Sequence, residues 1–139
     1  LIEVAGDMSV TFHRAFDVCR NPHKAIEDII SLGCNRILTS GQQPTAEQGI
    51  MLLKELKKQA AGRITLLAGC GVNETNIAHI AKETGIHEFH FSARETLKSG
   101  MKYHNEIVSM GGTIHIDEYK RNVTTAERVK RTIENCKTR

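Results

Sequence analysis

The sequence holds no CxxC pair, no apolar run near the roughly 18 residues of a membrane span, and no block of Lys or Arg. Aromatics are scarce as well: four Phe, two Tyr and no Trp in 139 residues. Each absence narrows the field. Cys19, Cys34, Cys70 and Cys136 are scattered, with no secretory context, and read as reduced thiols of a cytoplasmic protein. Without a long apolar run or a visible signal peptide, the expectation is no membrane association. The net charge of +3 is spread along the chain without interleaved aromatics, which argues against nucleic acid as a partner. What remains is an ordinary globular composition, 40% hydrophobic and 25% charged, in a chain long enough for one domain with a sizeable core.

Four short β/α units organise that chain. The sharpest is Ile64-Thr65-Leu66-Leu67-Ala68-Gly69-Cys70-Gly71-Val72-Asn73, a nearly continuous apolar strand that opens through two glycines towards a helix. Asn73 is the expected N-cap of a helix reaching Thr84. Such a turn is either a plain βα connection or an anion site of converging backbone N–H groups. Before it, Ser9 to Arg14 alternates as a strand, and Asn21-Pro22 starts a helix to Leu32 with Ala25, Ile26, Ile29 and Ile30 as its buried stripe. Arg36 to Ser40 forms the next strand, and Pro44 opens a helix to about Ala60. After the glycine turn, Glu88-Phe89-His90-Phe91-Ser92 alternates, with Phe89 and Phe91 towards helices and Glu88, His90 and Ser92 inward.

Strands starting near residues 9, 36, 63 and 88 recur at about 25 to 27 residues, the crossover length of parallel pairing. No hairpin signal lies between them. The order fits an open doubly wound sheet or a barrel, and polar inward residues at the strand ends favour the barrel. The fold class expected is therefore α/β: a parallel β/α barrel of TIM type, represented by four units, half of the usual eight, plus a C-terminal helix. Leu1 to Ala5 reads as the last turn of a helix begun earlier, so the chain is expected to be a fragment. Arg94 to Gly112 reads as a long loop, Thr124-Thr125-Ala126-Glu127 as a capping box opening a helix to Cys136 with Val129 and Ile133 as its stripe, and 137–139 as a frayed tail.

The ordered segments Thr11-Phe12-His13-Arg14-Ala15-Phe16-Asp17, Arg36-Ile37-Leu38-Thr39-Ser40-Gly41, Ala68-Gly69-Cys70-Gly71-Val72, Glu88-Phe89-His90-Phe91-Ser92-Ala93-Arg94 and Ser99-Gly100-Met101-Lys102 resemble the CutC copper homeostasis family. The resemblance implies a single cytoplasmic β/α-barrel domain of which residues 1–139 are the C-terminal half, strands five to eight. It also implies copper binding or handling. The early strands that carry the family's cysteines are absent from this chain, which puts the family's copper ligands in doubt here.

In such barrels ligands sit at the C-terminal ends of the strands. That rim offers His13, Arg14 and Asp17, then Ser40 and Gln42, then Gly69, Cys70 and Gly71, then His90, Ser92 and Arg94. Cys70 and His90 are the candidate Cu(I) ligands, since Cu(I) takes thiolate, thioether and imidazole donors, and Met101 or Met110 could join them. His13, Asp17 and His90 are the acid/base candidates, with Asp17 or Glu88 setting a histidine tautomer. Arg14, Ser40, Gly69, Gly71, Ser92 and Arg94 are the anion-binding candidates, with Arg14 and Arg94 converging on one pocket. The plainer alternative is structural: a small buried thiol, a hydrogen-bonded histidine, and Arg14 paired with Asp17 or Glu88. Two functions stay open, copper handling without turnover and an enzyme acting on a small phosphorylated or carboxylated molecule. The partner is a copper ion or a small anion in either case. Open edges on the first and last strands further predict a homo-oligomer.

Overall fold

The computed structural model describes residues 1–114 and 116–137. The expected tail at 137–139 thus lies, beyond Lys137, outside the described residues. The elements are α1 (Ile2–Ala5), β1 (Thr11–Phe12), a 3-10 turn (Arg14–Val18), α2 (Pro22–Ser31), β2 (Arg36–Thr39), α3 (Ile50–Ala60), β3 (Thr65–Gly69), α4 (Ile77–Thr84), β4 (Glu88–His90), β5 (Arg94–Lys98), β6 (Lys120–Thr124) and α5 (Ala126–Lys137). Strands β1 to β4 lie side by side in sequence order, all parallel. Parallel neighbours joined by helices are the β/α arrangement the 25-residue spacing demands, and four such units form part of a TIM-type barrel.

Strand alternation decides which side chains are buried. Ile37 and Thr39 of β2 and Leu66 and Ala68 of β3 point to the helices and are buried. They meet Ile26 and Ile29 of α2, Leu53, Leu56 and Ala60 of α3, and Ile77 and Ile80 of α4 in one core. The opposite face carries Arg36, Leu38, Thr65, Leu67, Glu88 and His90, which are half-buried or exposed. Arg36 Nε donates to Glu88 Oε2 at 2.6 Å on this face, reaching over β3. Glu88 therefore pairs with Arg36 rather than with Arg14 or a histidine.

Four elements depart from the sequence reading. Strand β1 is two residues long because the His13 side chain caps the 3-10 turn, ending the extended run four residues before Asp17. Helix α3 starts at Ile50, six residues after Pro44, because the loop doubles back on itself: a Cβ on Gly49 would collide with the Ser40 carbonyl. Residues 94–98, read as loop, form β5 and pair antiparallel with β6 across the 99–119 segment. Helix α5 buries Thr132 rather than a Val129/Ile133 stripe, and Ile133 stays 42% exposed.

Arg63, two residues before β3, donates to both Glu27 oxygens of α2 at 2.7 and 2.8 Å, and Gln59 of α3 donates to the same carboxylate. These bonds, Arg63 first, hold the Glu27 carboxyl down at about 2. A depressed folded-state pKa stabilises above the unfolded value and loses that contribution as pH falls through the folded one. The melting temperature should therefore fall more steeply between pH 5 and 2 in the wild type than in Arg63→Met, measured by thermal denaturation; parallel curves would refute the assignment. Leu56→Ala, at a fully buried site, should cost roughly 3 kcal/mol in denaturant titration.

Candidate functional site at the C-terminal rim

Strands β2, β3 and β4 each run into a non-glycine residue with left-handed backbone: Gln42 (φ 57°), Cys70 (φ 78°) and Ala93 (φ 46°). Such conformations cost free energy and gather where a chain must aim groups at a ligand. All three lie beyond the C-terminal ends of their strands. Their recurrence in successive units sets this rim apart, the other such non-glycine residue among those described being Ala61 at the end of α3.

On the β1–β2 side the rim is built around one carboxylate. Asp17 accepts from Thr39 Oγ1 at 2.6 Å, Arg14 Nε at 2.7 Å, and the backbone N–H groups of Ser40 and Gln42 at 3.1 Å each. Its side chain is 6% exposed. Burial alone would push this carboxyl up; the bonds from Thr39, Arg14, Ser40 and Gln42 outweigh it and hold the group below its ordinary value. Ser40, fully buried, accepts from Arg14 Nη2 at 2.8 Å and donates to the Gln43 carbonyl at 2.6 Å. Arg14 is thus engaged with Asp17 and Ser40, a pairing the plainer sequence reading anticipated. The His13 imidazole is oriented by backbone rather than by Asp17 or Glu88: Nδ1 accepts the Ala15 N–H at 3.0 Å, leaving the proton on Nε2.

On the β3–β4 side lies a cleft of about 360 Å³ lined by Cys70, Gly71, His90, Ser92, Arg94 and Arg128, among others. The ladder explains it. Gly69 pairs with His90, and a Cβ at Gly69 would stand 2.6 Å from Leu38 Cδ1 and 3.3 Å from His90 Cβ. Only glycine lets those two side chains close over the strand. The turn that follows folds on its own side chains: Asn73 Nδ2 and Asn76 Nδ2 donate to the Gly71 carbonyl at 3.0 and 2.9 Å, while Asn76 Oδ1 accepts from Asn73 N and Asn73 Oδ1 accepts from Thr75 N. Helix α4 begins only at Ile77, capped at Asn76 rather than Asn73. The helix start expected directly after the glycine turn is therefore displaced by one loop.

Of the candidate residues, the cleft joins Cys70, Gly71, His90, Ser92 and Arg94, while Arg14, Ser40 and Asp17 form the separate buried network. Arg14 lies in the Asp17 network while Arg94 lines the cleft, so the two do not share one pocket lining. The Cys70 thiol donates to the Pro44 carbonyl at 3.0 Å. Among the described residues no group of three or more His, Cys, Asp or Glu is arranged to hold a metal, and Met101 and Met110 are exposed and outside the cleft lining. The side chains of Arg94 and His90 make no hydrogen bond or ion pair among the described residues.

Sequence reasoning missed Arg128. It reaches from α5 into the cleft, donating to Glu74 at 3.0 and 2.8 Å and to the Arg94 carbonyl. These bonds hold the Glu74 carboxyl below the usual range. Its neighbours in space lie 34 and 54 residues away in sequence, so no local pattern could have marked it. For the buried network, Asp17→Asn should cost roughly 3 kcal/mol, because an amide turns a donor towards a ring of donors. Amide exchange at Ser40 and Gln42 should accelerate in that variant, and unchanged protection there would contradict the hub.

The sequence profile described as the CutC family matches residues 1–95. The family protein CutC of Bacteroides thetaiotaomicron is 72% identical over 137 residues, covering 99% of this chain and 55% of that protein. Its counterpart in Parabacteroides distasonis is 55% identical over 130 residues, 94% of this chain and 54% of that protein. The chain thus spans about half the length of the curated relatives it matches. A crystal structure of CutC from Streptococcus agalactiae, to which a copper homeostasis role is ascribed, superposes with a TM-score of 0.61 at 32% identity, covering 65% of this chain and 45% of that one. With the strand order, the rim motifs and the profile all in agreement, the chain belongs to the CutC family.

Proposed function

We propose that the cleft between β3 and β4 binds a small molecule through a phosphate or carboxylate group. The observation that carries this reading is that Arg94, whose guanidinium has no hydrogen-bond or ion-pair partner among the described residues, lines a cleft with His90 and Ser92. A guanidinium matches a planar or tetrahedral oxyanion with paired N–H donors, and a second arginine, Arg128, is paired with the Glu74 carboxylate. His90 is the group within the cleft able to exchange a proton with such a ligand, and Ser92 adds a hydroxyl donor. Inorganic phosphate should bind the wild-type chain in calorimetry, and Arg94→Ala should weaken it by about tenfold or more, the value of one charge-assisted hydrogen bond. Equal affinity in the variant would sink this assignment.

A second reading is copper handling, favoured by the relationship to the Streptococcus agalactiae protein and by Cys70 and His90 lining the same cleft. A thiolate and an imidazole suit Cu(I), and among the described residues lining the cleft no thioether or second thiol joins them. This reading includes a cytoplasmic setting for the reduced thiols and association of copies through the open edges of β1 and β4. A Cu(I) competition titration separates the two: Cys70→Ser should abolish copper binding if the cleft serves the metal, and should leave both the copper titration and phosphate binding unchanged if it serves the anion.

A further inference from the structure

The turn that forms one wall of the cleft, Ser92-Ala93-Arg94, has its three consecutive carbonyls taken by three donors: the last residue of β6, the residue after it, and Arg128 in the first turn of α5. Thr124 Oγ1 donates to the Ser92 carbonyl at 2.9 Å, Thr125 N to the Ala93 carbonyl at 3.3 Å, and Arg128 Nη1 to the Arg94 carbonyl. Ala93, at the centre, holds the left-handed conformation noted above. Glu74, on the loop before α4, fixes the other edge of the Arg128 guanidinium, and Asn135 Nδ2 donates to the Glu74 carbonyl at 2.8 Å. The residues that close the cleft are thus held by an element remote in sequence from the strands that open it.

We infer that Arg128, Thr124 and Thr125 form a carbonyl clamp that makes the cleft selective for anions, with Arg128 as its positioning residue. The inference rests on the anion reading of the cleft given above. Carbonyl and carboxylate oxygens are acceptors, and an acceptor left facing a cleft repels an oxyanion and invites a cation. The clamp satisfies the three carbonyls of the wall, and the same Arg128 neutralises Glu74. What the cleft then presents are donors: the Arg94 guanidinium, the Ser92 hydroxyl and the His90 ring. Removing Arg128 exposes one carbonyl and one carboxylate to the cleft at once and frees the backbone that aims Arg94. Its effect should therefore exceed that of losing one positive charge at a distance.

Phosphate titration followed by calorimetry on the 139-residue chain tests this, with the melting temperature measured in parallel. Arg128→Met should weaken phosphate by about tenfold or more, the scale of a charge-assisted bond, and Arg128→Lys should recover only part of the loss because an ammonium cannot bond Glu74 and the Arg94 carbonyl in a fork. Glu74→Gln should strengthen phosphate binding even where it lowers the melting temperature, since the bond to the Arg94 carbonyl survives and a carboxylate that repels an oxyanion is gone. A merely structural role would instead make affinity track melting temperature across all three variants, and that outcome would overturn the clamp. Should Arg128→Met fail to fold, Thr124→Val frees the Ser92 carbonyl alone and should weaken phosphate several-fold with little change in melting temperature. If the wild type binds phosphate and both Arg128→Met and Thr124→Val bind it equally well, the clamp is refuted while the anion site stands. If the wild type binds no phosphate, the anion reading itself falls and the clamp with it.

Discussion

The parallel ladder that sets Gly69 opposite His90 is the constraint on which the rim depends. Register in a parallel sheet assigns each residue to the helix-covered face or the open face, and a one-residue slip would exchange them all. Here it sends Leu66 and Ala68 into the core and leaves Leu67 and Gly69 on the open side. The missing side chain at Gly69 lets Leu38 and His90 approach across it, so the imidazole stands at the mouth of the cleft. Glycine at this position serves close approach, since its φ is not left-handed.

From that ladder the rim divides into two territories with different chemistry. Around β1 and β2 a buried carboxylate, Asp17, gathers side-chain and backbone donors and locks Arg14 and Ser40 into the framework. Around β3 and β4 the Arg94 and His90 side chains have no hydrogen-bond or ion-pair partner among the described residues. A network whose donors and acceptors are matched rigidifies a fold; a cationic side chain left over beside a cleft is free to meet a ligand. The difference between Arg14 and Arg94 is therefore one of partners, and the partners come from topology.

Much of this was legible in the sequence, for reasons that differ by element. The apolar runs Ile37-Leu38 and Leu66-Leu67-Ala68, with the helical stripes Ile26/Ile29, Leu53/Leu56 and Ile77/Ile80, carry periods that reveal strand and helix directly. The grouping of Cys70, His90, Ser92 and Arg94 followed from placing strand ends on one rim. The hairpin did not: Arg94-Glu95-Thr96-Leu97-Lys98 and Lys120-Arg121-Asn122-Val123-Thr124 are mostly polar, are separated by 21 residues and lack a short turn signature. Such pairing is decided by what packs beside it. The same holds for Arg14 and Arg128, whose roles depend on acceptors brought near by folding. Local sequence shows that a charge is present, while only the fold shows whether it is already neutralised.

The central claim is that the unpaired donors of the β3–β4 cleft receive an oxyanion. Tungstate, an electron-dense tetrahedral analogue of phosphate, makes the claim directly visible in a crystal of this chain soaked with it. The account predicts an anomalous peak within hydrogen-bonding distance of the Arg94 guanidinium and beside His90 and Ser92. A cleft without tungstate, with the anion found instead elsewhere on the molecule, would contradict it.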